Sequence, residues 1–209
     1  MKTAARGRKR GQAQEIAWDA MEAASVGDGA KAESLCRKAL GVYPDCVDAL
    51  TMLAEIECEL TKDYVERLRE AVEAGRRDLG PACFREDRGY FWGLIETRPF
   101  MRAMAQLGFA LLDWGTPEHV DEAIGVFEEV LALNPDDNQG VRDVLAGSYL
   151  ARKRYSDAAE LFDRYPEDAT ATRAWTEVML AFATQGEDAA TAPLAEARER
   201  NPHVEAYLT

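Results

Sequence analysis

Histidine is almost missing from this chain of 209 residues: there are two, His119 and His203. Neither has a serine or cysteine nucleophile close to it in sequence, so the usual base–nucleophile pairing has no material to work with. Cysteine is scarce as well. Cys36, Cys46, Cys58 and Cys83 are separated by 10, 12 and 25 residues, with no CxxC pair. That spacing excludes a zinc knuckle and suits small buried apolar groups in a reduced, cytoplasmic protein. Long apolar runs are lacking: stretches such as Gly108 to Leu112 fall far short of the ~20 residues that span a bilayer. No apolar core follows the basic segment from Met1 to Gln12, as a secretory signal requires. The chain has no GxxxxGK and no GxGxxG after a strand, and Gly27-Asp28-Gly29 is too short for a calcium loop. No catalytic residue, metal or cofactor is therefore expected.

Positive charge is also in short supply. Lysine and arginine number 25 against 38 acids, for a net charge of −13. Five of the bases, Lys2, Arg6, Arg8, Lys9 and Arg10, fall in the first ten residues. Without them 20 bases face 38 acids, near −18 for the rest. So acidic a body repels phosphate backbones and excludes nucleic acid as the main ligand. Residues 1–12 are expected to form a basic flexible tail.

What the chain does have is a repeating register. Ala32, Cys36, Ala39 and Pro44 stand at offsets of 4, 7 and 12 from the alanine, as do Ala123, Phe127, Val130 and Pro135, and Ala190, Leu194, Ala197 and Pro202. Ala158, Phe162 and Tyr165 begin a fourth set, whose proline comes early at Pro166. The alanines at 123, 158 and 190 are 35 and 32 residues apart. That period resembles the 34 residues of a tetratricopeptide repeat.

The expectation is an all-α fold of tetratricopeptide-like helical hairpins, about ten helices stacked in a right-handed superhelix as a single repeat domain over 13–209. Within it, residues 13–79 hold the first repeats, 80–98 an irregular linker and 99–209 the later repeats. The linker follows from arithmetic. Ala32 and Ala123 are 91 residues apart, two repeats plus roughly 23 extra positions. Gly80-Pro81 should end a helix from about Asp63 to Leu79. Expected caps are Asp45, Thr97 and one of Asp136 or Asp137. Trp175, Val178 and Phe182 are expected on the packed face of the last pair.

Four strings are more specific than the repeat. They are Gly89-Tyr90-Phe91-Trp92, Glu96 to Ala103 (ETRPFMRA), Leu133 to Arg142 (LNPDDNQGVR), and Asn201 to Val204 with Tyr207-Leu208. Together they resemble the suppressor of tumorigenicity seven family and its bacterial relatives over somewhat more than half the chain. The resemblance implies helical-repeat packing and a role through protein contacts. Animal members of that family span membranes and this sequence has no such segment, so only the architecture carries over.

Polar residues in these strings are the site candidates. Arg98 and Arg102 are four apart and share a helix face. With Arg142, Asn138 and Gln139 they could hold a carboxylate or an acidic peptide, and Trp92 could anchor an apolar group. The competing reading is structural, with Arg98 and Arg142 bonded to backbone carbonyls or to acids and the aromatics in the core. Function is expected to be that of a non-enzymatic scaffold binding a peptide or protein segment in a concave groove, as monomer or homodimer. The alternative is self-assembly through the C-terminal helices, where Val204, Tyr207 and Leu208 leave an apolar end. An enzyme acting through scattered acids, Tyr90 or His203 is the least favoured reading.

Overall fold

A computed structural model describes residues 2–58 and 61–208. Met1 and the side chains of Lys2 and Leu208, named above, lie outside what is described. Eleven α-helices account for most of the described residues. They are α1 (Lys2–Ser25), α2 (Gly29–Val42), α3 (Val47–Glu57), α4 (Thr61–Glu86), α5 (Arg98–Trp114), α6 (Pro117–Leu133), α7 (Val141–Ala151), α8 (Tyr155–Arg164), α9 (Ala171–Gln185), α10 (Glu187–Arg200) and α11 (Glu205–Leu208). No strand occurs among the described residues. The fold is all-α and built from helical hairpins, as the register predicts.

The chain forms two compact units, Met1–Asn138 and Gln139–Thr209. In the first unit each helix from α1 to α5 packs on the next, and α3 also packs on α1 and α5. In the second, α7, α8, α9 and α10 pack in succession and α7 also meets α9. Contact with the next helix and the next but one is the mark of stacked hairpins.

The repeat register explains this packing. Ala32, Cys36 and Ala39, and likewise Ala123, Phe127 and Val130, are completely buried. Alanine admits a close neighbour and the larger residue fills the gap it leaves. The most extreme approach is in α5, where a Cβ added to Gly108 would lie 2.4 Å from the Phe127 ring. The prolines have a separate task. At Pro44, Pro135 and Pro166 the residue before the proline accepts a bond from the N–H three residues on: Cys46 to Tyr43 at 3.1 Å, Asp137 to Asn134 at 3.0 Å and Asp168 to Tyr165 at 3.1 Å. Each proline thus takes the second place of a β-turn, where its fixed φ is already suitable.

Three expectations are corrected. Residues 2–12 do not form a separate tail but the opening turns of α1. Arg6 Nε donates to the Tyr43 hydroxyl at 3.0 Å, which donates to Asp78 Oδ1 at 2.6 Å. Arg10 Nε meets Asp78 Oδ2 at 2.7 Å. Burial, with the Asp78 carboxylate beside it, pushes the Tyr43 phenol up from its ordinary pKa. The caps differ too. Cys46, Thr97 and Gly140 stand at the N-caps of α3, α5 and α7, without a side-chain cap bond. Asp45 instead accepts from Arg77 at 2.8 Å. Finally, Phe182 is 60% exposed rather than packed.

α4 breaks where Gly80-Pro81 requires. Gly80 has φ 73° and ψ 162°, a conformation that only glycine adopts without strain. Pro81 then starts a further helical stretch to Glu86, which the sequence pattern does not predict.

Candidate functional site

The irregular linker is fastened to the first unit by an aromatic plug. Phe91, completely buried, lies in a short 3-10 turn, Phe91–Gly93. Its ring is 5.1 Å from that of Phe84 and 6.2 Å from that of Phe100. Phe84 meets Phe100 edge-on at 5.2 Å, and the Arg76 guanidinium covers both, 5.6 and 5.4 Å from their centroids. A second 3-10 turn, Ile95–Thr97, leads into α5. Its buried Thr97 hydroxyl is shared between the carbonyl oxygens of Phe91 and Leu94, the latter at 2.8 Å. Thr97 therefore ties the linker down instead of capping the helix.

Arg98 closes the same loop. Its Nε donates to the Trp92 carbonyl at 3.0 Å, and its guanidinium lies 5.4 Å from the indole. Trp92 and Arg98 thus form one stacked unit, half-buried, at the start of α5.

One turn further on, Arg102 grips the carboxylate of Asp48 with both arms of its fork, at 2.8 and 2.6 Å from Nη2 and 3.2 Å from Nε. Gln14 Nε2 donates to the same carboxylate at 2.6 Å. The Asp48 side chain is 2% exposed, that of Arg102 38%. Residues of α1, α3 and α5, joined by bonds that span 34 and 54 positions, meet at this point. Burial of a carboxylate is tolerable only with such charged and polar partners.

Above this node runs a groove of about 510 Å³ between α1 and the beginning of α5. Trp18 and Ile95, 50% and 65% exposed, supply its apolar surface. Arg10, Arg98 and Arg102 give its basic lining, Glu15 and Glu96 its acids. Arg10 Nη2 donates to the Glu96 carbonyl at 2.7 Å, holding the wall in place. Arg98 and Arg102, paired on spacing alone, are thus brought to one groove, with Trp92 stacked on the first.

The remaining candidates lie elsewhere in the chain. Asn138 is exposed at the end of the first unit, and Gln139 is half-buried at the start of the second. Arg142 Nε donates to Asp168 at 2.9 Å, and its guanidinium sits 5.0 Å from the centre of the Tyr165 ring. All three arginines therefore have internal acceptors, as the structural reading requires. His119 stacks on Trp114 at 3.8 Å, with Nδ1 2.9 Å from the Thr116 hydroxyl. Its surroundings are those of a packing residue.

Sequence reasoning missed Gln14, Trp18 and Asp48. The acid is one of 38, and its burial follows from contacts across 34 and 54 residues that no local pattern marks. It also missed a ladder on the flank of the first unit. Arg69 and Arg76 of α4 each form two bonds to Glu122 and Glu129 of α6, between 2.6 and 2.9 Å. Seven-residue spacing on both helices was the available signal.

A family model described as tetratricopeptide repeat matches residues 118–179. That match supports the tetratricopeptide superfamily, in agreement with the all-helical hairpin architecture. No curated protein matches the chain.

Proposed function

We propose that this chain is a non-enzymatic interaction scaffold whose first unit holds a segment of another protein between α1 and the start of α5. Repeats of this kind generally act through protein contacts. The observation that carries the reading here is the groove itself. It offers an exposed aromatic anchor, Trp18, beside guanidiniums whose orientation is already set by Asp48 and Trp92. Side chains held in place in this way lose little freedom when a partner docks, so more of the contact energy remains as affinity. Arginine forks select carboxylates, and the partner segment is accordingly acidic with one bulky apolar residue.

Trp92, Arg98 and Arg102 act at this groove. Asn138 of the first unit, and Gln139 and Arg142 of the second, remain separate candidate contacts, in one of the strings resembling the suppressor of tumorigenicity seven family. Nucleic acid is a poor fit to a chain of net charge −13. No helix among the described residues is long and apolar enough to cross a membrane. A cytoplasmic setting suits the four free cysteines.

The test is site-specific photo-crosslinking in the native cell. A benzophenone side chain in place of Trp18 should capture a defined partner, and one in place of the exposed Lys38 of α2 should not. With that partner purified, Trp18→Ala should weaken binding at least about tenfold. Equal capture at both positions, or unchanged affinity in the variant, defeats the proposal.

A further inference from the structure

The second unit carries a trough of about 990 Å³ along α7, α9 and α10. Met179 and Phe182 of α9 stand in it at 58% and 60% exposure. Large apolar groups left in water beside a cavity mark a surface that gains from being covered. Along α10 the wall consists of Glu187, Ala190, Thr191, Leu194, Ala195 and Arg198. Successive members are three or one residues apart, so alternate members are four apart and all share one helix face.

This face has a symmetry of its own. An acid opens it and a base closes it, 11 residues apart, or about 16 Å at the helical rise. Between them lie small side chains that admit a close neighbour, and one leucine. Reversed end for end, the face complements itself.

We propose that the trough binds a second copy of the chain. Two α10 helices lie antiparallel about a two-fold axis near Ala192 and Pro193. Glu187 of each copy meets Arg198 of the other, and the Met179 and Phe182 side chains of both fill the space between. An isologous contact makes every pair twice, so one acid and one base yield two ion pairs. Arg198 is held by Glu205 of α11 at 3.0 Å from Nε and 2.7 Å from Nη2. A guanidinium carries five N–H donors, and this side chain is 53% exposed, so the fork can serve both acids. The contact uses none of the residues of the α1–α5 groove, and the two proposals stand or fall separately.

Sedimentation velocity on the full chain at micromolar concentration is the test. The wild type should sediment at about twice 23.2 kDa. Glu187→Arg alone and Arg198→Glu alone should each weaken association at least about tenfold, because like charges then face each other at both ends. Mixed together, the two single variants should form a heterodimer, since each supplies the charge that the other lacks. Phe182→Glu, at an exposed position, should be a monomer with unchanged helix content by circular dichroism. A monomeric wild type, a dimer that both reversals leave intact, or a mixture that stays monomeric overturns the proposal.

Discussion

Removing Arg102 should destabilise the first unit more than removing the acid that it binds. Arg102→Ala leaves the Asp48 carboxylate in place at 2% exposure, with Gln14 as its remaining side-chain donor. An uncompensated buried charge of this kind costs about 3 kcal/mol, at the lower end of the range for broken buried pairs. Asp48→Ala is gentler. Arg102, 38% exposed, and the half-buried Gln14 can both turn to water, so the cost is about 1–2 kcal/mol. Asp48→Ala with Arg102→Ala should then be more stable than Arg102→Ala alone, because no charge is stranded. Trp175 is the single tryptophan of the second unit, so a Trp175→Phe background makes fluorescence report the first unit alone. Urea titrations of the four chains complete the cycle. If Arg102→Ala lies within about 0.5 kcal/mol of the parent, or the double variant is the weakest, Asp48 is not electrostatically dependent on Arg102 and the account of the node fails.

Other consequences are as direct. Gly108→Ala should destabilise, since displacing the buried Phe127 ring costs about 1–3 kcal/mol and outweighs the ~1 kcal/mol gain in helix propensity. Gly125→Ala, with nothing within 4 Å of the added carbon, should stabilise by roughly 0.5–1 kcal/mol; thermal melts of both variants settle the signs. Burial pushes the Cys36 and Cys46 thiols up to about 11, so at pH 8 only about one in a thousand is ionised. Iodoacetamide should therefore label half-buried Cys58 ahead of both in the native chain, and urea should abolish the difference; peptide mass spectrometry reads the order. Tyr43→Phe should cost about 1 kcal/mol and speed amide exchange in the opening turns of α1, because the hydroxyl that bridges Arg6 and Asp78 is lost and only their longer direct ion pair remains.

The hairpin architecture was legible because its cause is local. Alanine at a crossing and proline at the second place of a turn act within a few residues, and their spacing is visible in one chain. The break at Gly80-Pro81 is legible for the same reason. Phe182 was misplaced because periodicity marks a stripe without saying whether anything covers it. The caps at Asp45 and at Asp136 or Asp137 failed through competition: Arg77 takes the first, and a left-handed Gly140 occupies the N-cap that the others were expected to fill. Of the site, Arg98 and Arg102 were recognised by spacing. Their partners were not, since Asp48 is an ordinary acid until three helices converge on it. The basic opening segment read as solvated because Asp78, which pairs with Arg6 and Arg10, lies about 70 residues downstream.

The two polar attachments of α1, Gln14 to Asp48 and Arg6 with Arg10 to Asp78, have a bearing on any attempt to shorten the protein from its front. Cutting before Gly29 would delete Gln14, Arg6 and Arg10 together, and would expose the flank of α2 that Ala13, Ala17 and Ala20 now cover. Asp78 would forfeit both of its arginines at one stroke. The opening helix is thus a keystone and not a trimming, and a fragment lacking it should come out of the ribosome as a substrate for proteolysis.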